Sequence, residues 1–128
     1  VATPDFMALR RLLIDSLSVL AADASVQTAW LDEHEVAVDE IALDFDHAFR
    51  MANRLVEHDQ ISGSAAAELR EIDVLLAGMS GHEQADRWTR DALVSDAGWS
   101  QARQLAHQVL IELTGGWEHP LPSIQAIR

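Results

Sequence analysis

Apolar residues recur at helical spacing along almost the whole chain, and alternating strand patterns are nearly absent. Phe6, Leu9, Leu13, Leu17 and Leu20 share one face of a first helix. Thr3 is its expected N-cap, with Pro4 at the first helical position and Asp5 beside the positive helix end. The chain turns near Asp23, and a short second helix is predicted over residues 26–33. The third helix, over residues 38–58, carries the strongest seam: Ile41, Phe45, Ala48, Ala52 and Leu55, widened by Val38, Ala42, Phe49 and Val56.

A fourth helix is predicted over residues 65–78, capped by Ser62 or Ser64 and burying Leu69, Ile72, Leu75 and Leu76. Ser80 and Glu83 have capping-box spacing, so a fifth helix should open there and carry Trp88, Ala92 and Leu93. Asp96 caps the sixth, whose apolar face is Trp99, Ala102, Leu105, Ala106, Val109 and Leu113, and Gly115-Gly116 ends it. The tail from about residue 115 holds two prolines and should be extended. The predicted fold is all-α, a single-domain bundle of five to six helices. Phe45, Phe49, Leu69, Ile72, Trp88, Leu105 and Val109 are expected in its core.

Length and composition agree with that pattern. A chain of 128 residues that is 48% apolar can bury one core. No apolar run approaches the roughly 18 residues of a membrane span, and Asp5 and Asp15 interrupt the N-terminal apolar segment. There is no Cys, which excludes disulfides and thiolate chemistry and fits a cytoplasmic location.

Charge changes the picture more. The formal net charge is −12, and nine carboxylates fall between Arg11 and Arg50 with no Arg or Lys among them. Seven of these lie between Asp32 and Asp46. Such a cluster repels nucleic acid and steers basic partners toward itself. Asp32, Glu33, Glu35, Asp39 and Glu40 are the expected docking residues for a basic protein surface, with Trp30 as an apolar anchor. Trp117, after the Gly-Gly break, is a second interface candidate, whereas Trp88 and Trp99 are expected to pack inside.

Other chemistry finds less support. Glu40, Asp44 and His47 share one stripe of the third helix, and Asp44-x-x-His47 has the spacing of carboxylate-bridged di-metal bundles. No second Glu-x-x-His exists to complete such a site, so a solvated charged face is the expectation. Ser80 stands near His82, but cap chemistry already accounts for the serine. The six glycines form no phosphate loop. No catalytic residue and no cofactor is expected.

Three stretches carry a resemblance: VQTAWL at residues 26–31, VDEIALDFDHAF at 38–49 and MSGHEQADRWTRDAL at 79–93. Together with Trp99 and Arg103, they resemble a group of small acidic helical proteins from actinobacteria, which implies a helical fold and transfers no activity. In size and charge the chain is also similar to the immunity partners of secreted polymorphic toxins. The favoured expectation is a non-enzymatic acidic binding protein that docks a basic protein. The alternative is a small-molecule or metal-binding helical bundle, or a homodimer of one.

Overall fold

The computed structural model describes residues 6–122. Six α-helices and one 3-10 segment follow one another, with no strand among the described residues. They are α1 (Phe6–Ala21), α2 (Ala24–His34), α3 (Asp39–Glu57), α4 (Gly63–Gly78), the 3-10 segment (His82–Trp88), α5 (Arg90–Ser95) and α6 (Ala97–Thr114). The expected Thr3 cap lies outside the described residues.

Helix α1 is the central element and packs on both α3 and α6; α6 also carries α4 and α5. The core joins Leu13, Leu17 and Leu20 of α1 to Ile41, Phe45 and Leu55 of α3, Leu69 and Ile72 of α4, and Trp99 and Val109 of α6. Removing each such side chain from water contributes about 1.5–3 kcal/mol. Phe49, Trp88 and Leu105, expected inside, are only partly buried and form the rim of this core. Phe49 stacks beside Phe45 with centroids 5.7 Å apart, and Trp88 meets Trp99 edge-on at 5.3 Å.

Caps explain where the helices begin and end. Ser62 Oγ accepts the Ala65 N–H at 3.0 Å, which selects Ser62 over Ser64 as the α4 cap. Asp96 Oδ1 accepts the Gly98 N–H at 2.7 Å and starts α6. Gly115 ends α6 in the left-handed region at φ 90°. The expected fifth helix is corrected. Ser80 Oγ donates back to the Leu76 carbonyl, so no capping box forms, and Gln84 leaves helical geometry inside the 3-10 segment. Thr89 turns extended, and its Oγ1 accepts the Ala92 N–H to start the separate helix α5.

The 3-10 segment is pinned from below. The Arg87 guanidinium grips Asp96 through two bonds, Nε to Oδ2 at 2.9 Å and Nη2 to Oδ1 at 3.1 Å. That grip, with help from the Gly98 N–H, holds the Asp96 carboxyl below the usual carboxylate range, against the opposing effect of burial. The Trp99 indole donates to the Arg87 carbonyl, and the Trp88 indole donates to that of Met79.

Candidate functional site

Two features stand out: an acidic corner where α2 meets α3, and a cleft between α3 and α4. At the corner, α2 stops because Glu35 adopts left-handed geometry (φ 54°, ψ 45°) and the Val36 N–H reaches back to the Leu31 carbonyl. The reversal throws Glu33, Glu35 and Asp39 outward, all exposed. Asp39 and Glu40 then occupy the first turn of α3, where they complement its positive end.

The fold changes two expectations about this corner. Asp32 is not free of cations: Arg90, from the start of α5, pairs with it at 2.8 Å and also donates to the Val36 carbonyl. Among the described residues, Glu33, Glu35 and Asp39 engage in no ion pair. Trp30 is not a surface anchor. Its side chain is 4% exposed, because this face of α2 turns into the core. Its indole N–H donates to the Pro122 carbonyl at 2.8 Å, and its ring lies against His34. Trp117 is partly buried as well, stacked on His107 at 4.0 Å. Both tryptophans therefore hold the C-terminal segment against the bundle.

The cleft has a volume of about 640 Å³. One wall is α3 with Asp39, Ala42, Leu43 and Asp46, the other the end of α4 with Asp73, Leu76 and Ala77, followed by Ser80 just past it. The α3 residues read i, i+3, i+4, i+7 and the α4 residues i, i+3, i+4, so each helix contributes one stripe, and Ser80 continues the second wall beyond the helix end. Phe45 and Trp88 add aromatic surface, and the 3-10 segment closes one end. The first half of α3 and the last half of α4 share the cleft, so the two helices run antiparallel about the turn between them. Asp46 and Asp73 then lie at similar levels near one end, and Asp39 and Ser80 near the other.

Asp46 bonds Arg50 through Oδ2 at 3.0 Å, the pairing expected from their spacing. No ion pair among the described residues engages Asp73. Leu43, on the cleft wall, is 61% exposed. Sequence reasoning missed Asp73 and the cleft itself. The signal was available in the matched stripes Asp39-x-x-Ala42-Leu43-x-x-Asp46 and Asp73-x-x-Leu76-Ala77-x-x-Ser80.

Glu40, Asp44 and His47 stay on their own stripe of α3. Among the described residues, no group of three or more His, Asp or Glu side chains converges as metal ligands. No single helix among the described residues is long and apolar enough to cross a membrane.

A second acidic group sits where α4 meets α6. Burial pushes the Glu68 carboxyl up, and the charge of Glu112, a hydrogen bond with Glu112 and the charge of Glu71 push it the same way. Ser62 Oγ lies 3.3 Å from Glu112 Oε1, within donating distance.

No family model, curated protein or solved structure matches this chain.

Proposed function

We propose that the protein is a non-enzymatic binding protein whose acidic corner docks a basic protein surface, in the manner of an immunity protein covering a toxin's cleft. The exposure of Glu33, Glu35 and Asp39 on one reversal of the chain, with no compensating cation among the described residues, carries this reading. Crowded like charges destabilise the folded state. Glu35 adds a local cost, because a side chain in left-handed geometry is about 1–2 kcal/mol less favourable than in right-handed helix. Glycine would avoid both costs at that position, so a used negative field is the simpler account of the glutamate.

The corner steers a basic partner into encounter and speeds association. Slow dissociation needs apolar contact as well. With Trp30 inside, that contact falls to Leu43 and the cleft beside Asp39.

The test is retention of host proteins on immobilised full-length chain. A Glu33→Gln, Glu35→Gln, Asp39→Asn variant serves as control. The reading expects a basic protein held by wild type, released by salt and lost from the variant. Equal retention by both would contradict it.

A further inference from the structure

We propose that the α3–α4 cleft binds an elongated organic dication: two ammonium groups about 10 Å apart, joined by an apolar chain. Its volume of about 640 Å³ lies inside the range of roughly 300–1,000 Å³ typical of small-ligand sites. Its polar groups sit at two levels. Asp39 and Asp46 are seven residues apart on one stripe of α3, and a rise of about 1.5 Å per residue separates their levels by about 10 Å.

Asp73 and Ser80 line the opposite wall, and the antiparallel run of the helices sets Asp73 toward the Asp46 end and Ser80, whose hydroxyl donates to the Leu76 carbonyl and keeps its oxygen as an acceptor, toward the Asp39 end. Arg50 already offsets Asp46, so Asp73 supplies the uncompensated charge at its end. Between the two levels lie Ala42, Leu43, Phe45, Leu76 and Ala77, an apolar stretch suited to a methylene chain, with Trp88 of the 3-10 segment also lining the cleft. Among the described residues that line the cleft there is no Arg, and the charged ones are carboxylates. A single amine would satisfy one end and leave the other carboxylate without a cation.

The proposal shares Asp39 and the cleft with the docking account, but Asp73 lies outside the acidic corner, so Asp73→Asn tests it separately from the Glu33, Glu35 and Asp39 variant. The test is titration of the full-length protein with heptamethylenediamine, whose extended length spans the two levels. Heptylamine and the shorter putrescine are the comparison probes. Amide shifts of Leu43, Leu76 and Ala77 and the indole shift of Trp88 report occupancy. Heptamethylenediamine should bind saturably and about five-fold more tightly than either comparison probe, the upper range for one further exposed ion pair. Asp73→Asn, which leaves the core intact, should reduce heptamethylenediamine to the affinity of heptylamine. Equal affinity for diamine and monoamine in wild type would overturn the proposal. Insensitivity to Asp73→Asn, or shifts confined to another part of the surface, would do the same.

Discussion

Arg103 on α6 donates through Nη2 to Oε1 of the fully buried Gln27, and the Gln27 amide donates to the carbonyls of Val19 and Leu20. The last turn of a helix leaves carbonyls without intrahelical partners. Here side chains supply them. Arg103 Nε also reaches the Ala22 carbonyl at 2.9 Å, and His107 Nε2 donates to that of Ala21 at 2.6 Å. Arg103 Nη2 further bonds the Leu93 carbonyl, so one guanidinium ties the end of α1 to α2 and α5. The end of the central helix is therefore closed from α2 and α6 together.

Replacing Gln27 by Leu should cost about 1–3 kcal/mol, because the Leu20 carbonyl loses its side-chain donor, and the Val19 carbonyl and Arg103 Nη2 each lose one of two partners. Urea denaturation measures it. A double-mutant cycle with Arg103→Met should show coupling of about 1 kcal/mol or more. Additive losses would mean that the two side chains act separately.

Gly98→Ala should be destabilising by about 1–3 kcal/mol although alanine is the better helix former. A methyl group there would lie 2.8 Å from Met79 Sδ and within 3.0 Å of Arg87 Nη2. The guanidinium would be pushed away from Asp96. Thermal unfolding of Gly98→Ala beside Asp96→Asn should show similar losses, and a neutral Gly98→Ala would show that the site has slack.

Glu68 links stability to pH. Its folded-state value is raised, so protonation favours the folded state. The resulting stability is fully present below the ordinary glutamate value of 4.5 and is lost as pH rises through the raised value. Glu68→Gln should therefore be more stable than wild type at neutral pH. The difference should shrink on acidification. Urea midpoints across that range check it, and a constant difference would assign the effect to packing alone.

Glu35→Gly should raise stability by about 1 kcal/mol, since glycine takes the left-handed geometry without a Cβ penalty. The same change should slow partner association by removing one charge from the corner. A loss of stability instead would mean that the Glu35 side chain makes a favourable local contact.

The helices were legible in the sequence because their signals are local. The Ile41–Phe45–Ala48–Ala52–Leu55 stripe gives α3, and Asp96 and Gly115 mark both ends of α6. The Ser80–Glu83 spacing misled because Gly81 takes a φ of 129°, and the Ser80 hydroxyl is already used by α4. Position within the acidic run was legible too, but its electrostatic partner was not. Arg90 stands 58 residues from Asp32, and only the packing of α5 against α2 joins them. Trp30 misled for the same reason: it stands just ahead of the acidic run that opens at Asp32, whereas its indole partner is the Pro122 carbonyl, 92 residues away. Asp73 carries no local mark at all, and its significance arises from the antiparallel facing of two stripes.

The most direct test of the docking account is association kinetics with the retained partner, measured for wild type and the Glu33→Gln, Glu35→Gln, Asp39→Asn variant at low ionic strength and at about 0.15 M, where charges are screened beyond roughly 8 Å. The account predicts faster association for wild type at low salt, a steep fall with added salt for wild type, and a shallow fall for the variant. Dissociation rates should differ less. Identical association rates and identical salt slopes for the two proteins would contradict it.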